Sequence, residues 1–343
     1  MELDIAKTNQ KFLPGVAILR FYLAFMVVCF HFGGKAIIPV GWLFYFFQAF
    51  HVSSFIFLSF VLCGNYFFNP TKEGILKRII RIIFPLVFWG TIAWLLYIPL
   101  FGVIIPSTVP NILLFFVLCN NSLWFLLILL VISILLWLLR LIPSKKVFIG
   151  ILIGLFVLSI LLQYLGWNYE LFSNSPPIIK LSFGRLFEML PYACGGLLFS
   201  LFLPKLLDYS KKNKIIIFII SLLLLIIIQV IYLQIGFYNP DGYGYQGLYL
   251  LLGGLLLVLS SFVNPINFVK NAKALSIIKV ITSFTLGIFC IHSIVGLYIE
   301  LAWVQWGFEA HNFLVSLLIY LVSYVVCFLI YLIPCKYTKL LVE

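Results

Sequence analysis

The feature that most constrains the fold of this chain is a series of ten apolar runs, each long enough or nearly long enough to cross a membrane. The runs are continuous and rich in Leu, Ile and Phe, without the alternation typical of membrane β-barrels. Because 64% of the 343 residues are hydrophobic and only 9% are charged, a water-soluble fold is excluded. The sequence therefore predicts an all-α polytopic membrane protein with about ten transmembrane helices. These cover residues 14–34, 42–62, 82–105, 122–139, 147–166, 183–203, 215–235, 247–263, 281–300 and 313–333.

The positions of the basic residues predict how the chain is oriented. The net charge is +12, and with the N-terminus placed in the cytoplasm most lysines and arginines fall on the inner side. Only Lys35, Lys180 and Arg185 fall outside, and Arg20 lies within the first span. This asymmetry follows the positive-inside rule and predicts that both termini are cytoplasmic. Since topology explains the basic excess, we expect no nucleic-acid partner.

The loops and cysteines indicate how the chain is organised. No loop is long enough for a soluble domain, so we expect one integral membrane domain over residues 1–343, with no fused soluble domain. The seven cysteines form no C-x-x-C pair and mostly lie in spans, so we expect neither a metal site nor a disulfide framework. The expected location is a plasma or inner membrane. The sequence is rich in Ile, Lys, Asn and Phe, which points to an A+T-rich bacterial genome. Association into a homo-oligomer stays open.

Two ionisable residues, Arg20 and His31, lie inside the first span. Such residues are costly in lipid, so each is a candidate functional residue. Eleven residues correspond to about three helical turns, which places both on one helix face, roughly 16 Å apart along the axis. The structural alternative is that Arg20 extends to the cytoplasmic interface and His31 ends the span at its outer side.

Three basic residues, Lys77, Arg78 and Arg81, precede the third span. Arg78 and Arg81 share a face if the segment is helical. Two guanidinium groups placed in this way can bind phosphate oxygens in bidentate fashion. The alternative is ordinary positive-inside anchoring of the span.

Polar residues also occur in other spans. His51 lies in the second span near Ser53, Ser54 and Ser59, and it either bonds to a backbone carbonyl or shares a polar cavity with His31.

Four further candidates lie in or beside later spans. Ser122 and Trp124 begin the fourth span from the outer side, where a polar helix start with an interfacial Trp is the structural alternative. His292 lies near the middle of the ninth span. Glu300, at the outer end of that span, is a candidate carboxylate.

Taken in order, these residues resemble the acyltransferase type 3 family of membrane acyltransferases. Family members share an Arg and a His separated by ten residues in the first span and an R-x-x-R motif before the third. In the second span this chain departs from the family, because Ser54 replaces a Pro and Phe60 replaces a Gly. The residues that match the family are Arg20, His31, Phe50, His51, Arg78, Arg81, Phe84, Pro85, Trp89, Ser122, Leu123, Trp124 and His292.

The resemblance implies transfer of an acyl group from acyl-CoA to a hydroxyl of a cell-surface glycan or related carbohydrate. The group is most often acetyl and sometimes succinyl, and acyl-CoA is a substrate rather than a permanently bound cofactor. The implied CoA-binding residues are Arg78, Arg81, Arg20 and Lys77. The implied acceptor-binding residues are Ser122, Trp124 and His292.

The resemblance leaves two roles for His31. It is either a general base that deprotonates the acceptor hydroxyl or a nucleophile that forms an acyl-imidazole. We favour the general base, because the sequence reveals no activating partner for a nucleophile. Arg20, on the same face as His31, is a further catalytic candidate, and His51 and Glu300 are alternative candidates for a group that orients His31.

A transporter or flippase of glycan intermediates is the rival class. It too would contain about ten spans with intramembrane charges. The sequence contains no internal repeat and no matched pair of Gly/Pro-interrupted spans, which argues against a transporter. Binding of acetyl-CoA separates the two classes.

Overall fold

A computed structural model describes residues 12–33, 50–101, 123–141, 144–164, 177–238, 243–308, 312–334 and 338–342. About 90% of it is helical, and the described residues contain no strands. The α-helices in these segments are α1 (Pro14–Phe32), α2 (His51–Leu62), α3 (Gly64–Phe68), α4 (Lys72–Phe101), α5 (Trp124–Arg140), α6 (Lys145–Tyr164), α7 (Pro177–Asp208), α8 (Lys211–Tyr238), α9 (Tyr243–Val263), α10 (Ala272–Ile281), α11 (Thr285–Gln305), α12 (Phe313–Leu332) and α13 (Thr338–Val342).

The helices confirm an all-α polytopic membrane protein. Within the described residues, seven helical segments are long and apolar enough to cross a membrane, and α2 and α5 are shorter apolar helices. Each of the ten predicted spans overlaps a helix, while the total number of crossings stays a prediction. The third span was predicted to begin at residue 82, but α4 begins at Lys72, so Lys77, Arg78 and Arg81 lie within a helix.

The outer surface is apolar, as lipid requires. Helix α8 packs mainly against α9. Its other face exposes Ile220, Leu223 and Ile227, each by 50% or more. Water would penalise such a surface, whereas hydrocarbon solvates it.

Helix α1 is the central element of the bundle. It packs against α2, α9, α10, α11 and α12. The side chains of Leu23, Ala24, Met26 and Val28 have no exposed surface. Arg20 and His31 on this helix are partly buried.

Close helix approach beside His31 depends on a glycine. A Cβ atom at Gly296 of α11 would lie only 2.1 Å from the ring of Phe32, the last residue of α1. The missing side chain lets α11 press against the end of α1. Since Gly296 lies one turn beyond His292, this contact also determines where His292 meets α1.

A helix-interior proline in α7 is compensated by a neighbouring helix. Pro191 has no N–H group, so the carbonyl of Phe187 loses its helical donor. Gln163 of α6 donates from Nε2 to the carbonyls of Phe187 (3.3 Å) and Glu188 (2.8 Å). The buried carbonyls are thereby satisfied, and α6 is fixed against α7.

The last described segment, α13, folds back onto the bundle between α4, α11 and α12. Trp89 of α4 donates from its indole N–H to the carbonyl of Leu341, at 3.2 Å. Val342 is fully buried against Gly287 of α11, where a Cβ atom would lie 2.9 Å from the Val342 Cα.

Candidate active site

Three histidines from three helices come together at the end of α1. The rings of His31 and His292 have centroids 5.3 Å apart. The centroid of the Phe30 ring lies 5.4 Å from that of His31 and 5.3 Å from that of His51, so Phe30 bridges these two histidines. His51 also lies within electrostatic range of His292. We refer to His31, His51 and His292 as the imidazole cluster.

His292 is the most enclosed member of the imidazole cluster. Its side chain has no exposed surface. Its Nδ1 lies 2.7 Å from the carbonyl of Phe289 and 3.2 Å from that of Ile288. Carbonyl oxygens only accept, so Nδ1 carries the proton and donates it. Its Nε2 is therefore an acceptor, and it has no hydrogen-bond partner among the residues that the structure describes.

His31 lies in front of His292 and is partly exposed. Its ring contacts Phe30 edge-on and Phe32 at a tilt. Among the residues that the structure describes, it accepts and donates no hydrogen bond. An imidazole placed in this way is free to take a proton or to attack an acyl carbon.

The serines near His51 divide between two regions. The hydroxyl of Ser53 donates to the carbonyl of Phe50 in the preceding turn, at 3.0 Å. Ser54 is fully buried and its Oγ has no partner in the described segments. Ser59 instead accepts a hydrogen bond from Arg78 at 3.3 Å, about two turns away from His51.

Arg78 is buried inside the helix bundle and is 5% exposed. It donates from Nε to Ser133 of α5 at 3.0 Å, and from its two Nη atoms to Cys63 and Ser59. Its guanidinium also lies 4.7 Å from the centroid of the Phe60 ring. No carboxylate among the described residues pairs with it, so this buried cation has only neutral partners.

The two arginines of the R-x-x-R motif have different surroundings. Arg81 and Lys77 are exposed, whereas Arg78 is buried. The sequence places Arg78 and Arg81 on one helix face, and α4 confirms the helix. Burial, however, separates an inner arginine from an outer one.

Arg20 reaches the same region as Arg78 from α1. It lies within electrostatic range of Cys63, the residue that accepts from Arg78. Cys63 stands at the break between α2 and α3, with φ −98° and ψ 6°. We refer to Arg20, Arg78 and Cys63 as the basic cluster.

The sequence predicts neither Cys63 nor Ser133 as a polar contact. A cysteine in or beside a span is expected to behave as a small apolar residue. The available signal was weak. Cys63 is followed directly by Gly64 at the end of a predicted span, a position where a helix stops and a side chain becomes available for polar contacts.

Helix α1 connects the two clusters. It is continuous from Pro14 to Phe32, so Arg20 and His31 lie on one face about three turns apart, as predicted. One end of this path offers guanidinium groups that can hold an anion. The other end offers neutral imidazole groups that can move protons or accept an acyl group.

Three candidates remain, namely Ser122, Trp124 and Glu300. Ser122 lies outside the described residues. Trp124 begins α5 and has the guanidinium of Arg185 over its ring at 4.3 Å, so one ring face is already covered. Glu300 lies on α11 eight residues beyond His292, about 12 Å along the axis. In the described part of the chain, no three His, Cys, Asp or Glu side chains are arranged to hold a metal ion.

Comparison with known proteins identifies the class of protein that this bundle and its polar path define. A family model described as an acyltransferase domain matches residues 13–332, nearly the whole chain. The chain therefore belongs to the acyltransferase type 3 family and is a membrane acyltransferase. No curated protein and no solved structure matches it significantly.

Proposed function

We propose that this protein transfers an acyl group, most often acetyl, from cytoplasmic acyl-CoA to a hydroxyl of a cell-surface carbohydrate. The single observation that carries the proposal is the placement of the basic cluster and the imidazole cluster at two levels of one buried helix. A donor with phosphates at one end and a thioester at the other requires a site of this kind.

The basic cluster is the proposed binding site for the CoA phosphates. Arg78 and Arg20 bring two positive charges together, and the hydrogen-bond partners of Arg78 are neutral. A buried charge without an opposite charge is unfavourable. A phosphate would supply that opposite charge, and the exposed Arg81 and Lys77 would attract it from the cytoplasmic side.

The imidazole cluster is the proposed site of transfer. The acceptor hydroxyl forms a bond to the acyl carbon, the bond between that carbon and the CoA sulfur breaks, and the hydroxyl proton passes to the CoA thiolate. His31 carries that proton as a general base, or it first accepts the acyl group itself. Both roles require a neutral imidazole.

The acceptor is proposed to enter from the outer side. Trp124 and Arg185 form a stacked aromatic and cationic pair at the beginning of α5, the end of that helix predicted to lie outside. Aromatic rings and polar groups together suit binding to a sugar. Ser122 and His292 are the other proposed acceptor contacts.

Mass spectrometry of surface glycans tests the proposal. Cells with the wild-type gene, a deletion, His31→Ala and the exposed-residue control Lys279→Ala would be compared. We expect an acetyl or succinyl mass increment that is lost in the deletion and in His31→Ala and is kept in Lys279→Ala. Purified protein with labelled acetyl-CoA would then separate hydrolysis from transfer. Near wild-type transfer by His31→Ala would contradict the role of His31.

A further inference from the structure

The arrangement of the imidazole cluster suggests a role for His292 beyond contact with the acceptor. The sequence offers His51 and Glu300 as groups that orient His31, but it reveals no activating partner for a nucleophile. In the structure, the nearest ionisable ring is His292, with ring centroids 5.3 Å apart and planes inclined by 35°. The two rings come from α1 and α11, which the contact between Phe32 and Gly296 holds together.

The two rings have complementary unmet hydrogen bonds. The Nε2 of His292 is a buried acceptor for which the described part of the chain supplies no donor. His31 is a ring with one N–H donor and no hydrogen bond to any residue that the structure describes. Leaving a buried polar atom without a hydrogen-bond partner is unfavourable. A rotation of the His31 ring that brings its N–H to the Nε2 of His292 would satisfy both groups.

The orientation of His292 is already determined by its own helix. Its Nδ1–H donates to the carbonyls of Phe289 and Ile288, which fixes the tautomer and leaves the lone pair on Nε2. Because His292 has no exposed surface and His31 is partly exposed, His292 lies behind His31 as seen by a reactant. Reactants meet His31 first.

We propose that His292 is the positioning residue of the acyl transfer: its Nε2 accepts the ring N–H of His31, so that the other ring nitrogen of His31 presents its lone pair to the reactants. This inference rests on the proposed function, and it holds whether His31 takes a proton or the acyl group. It follows the general logic of a base or nucleophile oriented by a third group. In the Ser-His-Asp triad a carboxylate orients the histidine. Here His292, held by the backbone carbonyls of its own helix, takes the place of that carboxylate.

Substitutions at His292 test this inference. His292→Asn keeps a donor at the δ position for the carbonyl of Phe289 but has no acceptor at the ε position, whereas His292→Gln places an amide oxygen there. We expect His292→Asn to lower kcat at least about tenfold, with the KM for acetyl-CoA unchanged because the basic cluster is distant. We expect His292→Gln to retain more activity. Near wild-type kcat in His292→Asn would overturn the inference, since only the backbone hydrogen bonds would then matter.

A spectroscopic test does not depend on activity. The chain has four histidines, so ¹⁵N-histidine spectra of the purified protein can be assigned by single substitutions. We expect His31 to populate one tautomer in the wild type and a mixture in His292→Asn. Unchanged His31 resonances would overturn the inference. Should His292→Asn not fold, His292→Gln is compared with His292→Leu, and equal kcat in these two would overturn it as well.

Failure of the proposed function is distinguishable from failure of this inference. If wild-type protein neither binds nor turns over acyl-CoA, the proposed function is wrong, while the spectra still report on the histidine pair. If wild-type protein is active and His292→Asn is equally active, only the role of His292 is wrong.

Discussion

At the scale of single residues, burial distinguishes Arg78 from the other basic residues near it. Arg78 is held by Ser59, Cys63 and Ser133 and stacks near Phe60, while Arg81 is exposed one turn away. Positive-inside anchoring requires charged side chains outside the helix bundle, and Arg81 and Lys77 are exposed in this way. It gives no reason to bury Arg78 among neutral groups. Recognition of an anion gives such a reason.

Substitution of Arg78 should therefore weaken binding of the donor. Hydrogen bonds to charged groups contribute about 1.5–3 kcal/mol, so we expect Arg78→Ala to raise the Kd for acetyl-CoA roughly 10- to 100-fold. We expect Arg78→Lys to be intermediate, because lysine keeps the charge but loses the planar fork. Equilibrium binding to purified protein would measure this.

The matched control for Arg78 is Arg140. This arginine also makes structural contacts, donating to the carbonyls of Phe67 and Phe68 and lying 5.7 Å from the Phe148 ring. We expect Arg140→Ala to lower stability without a comparable change in Kd. An unchanged Kd in Arg78→Ala would support a purely structural role for Arg78.

At the scale of helices, the contact between α1 and α11 determines whether the two imidazole rings meet. The sequence gives no sign that Gly296 is important for this contact, since glycine is common in membrane helices. Its neighbour in space is the aromatic ring of Phe32. A side chain at position 296 must displace either that ring or the helix.

Alanine scanning of glycines tests this contact. We expect Gly296→Ala to destabilise the protein by about 1–3 kcal/mol through overpacking and to reduce transfer. Gly154→Ala is the control, because a Cβ atom there meets nothing within 4 Å. Adding Phe32→Leu to Gly296→Ala should restore part of both stability and activity. Thermal unfolding in detergent and transfer assays would measure these effects, and equal behaviour of the two alanine variants would contradict them.

At the scale of the whole molecule, the arrangement of lysines and arginines requires a definite orientation. The turn at Ser210 lies between α7 and α8 on the side predicted to be cytoplasmic, and Gly307 follows α11 on the side predicted to be outside. Both residues are exposed. The proposed path from CoA to carbohydrate depends on this orientation.

Labelling of intact cells tests the orientation. We expect a membrane-impermeant thiol reagent to modify Trp306→Cys, which lies next to Gly307 and is 73% exposed, but not Ser210→Cys, and to modify both after permeabilisation. The described native cysteines are buried or partly buried and give the background. Labelling of Ser210→Cys in intact cells would contradict the predicted orientation and would place the proposed CoA-binding residues on the outer side.

The sequence by itself determined the all-α membrane architecture, the approximate position of each apolar helix and the common face of Arg20 and His31. These properties are local, because they depend on the length of apolar runs and on a period of 3.6 residues. Only the tertiary structure decided that His292 lies against His31 and that Arg78 reaches Cys63. In lipid, every outer helix face is equally apolar, so hydrophobicity does not select helix neighbours. Close packing at positions such as Gly296 and a few polar contacts select them instead.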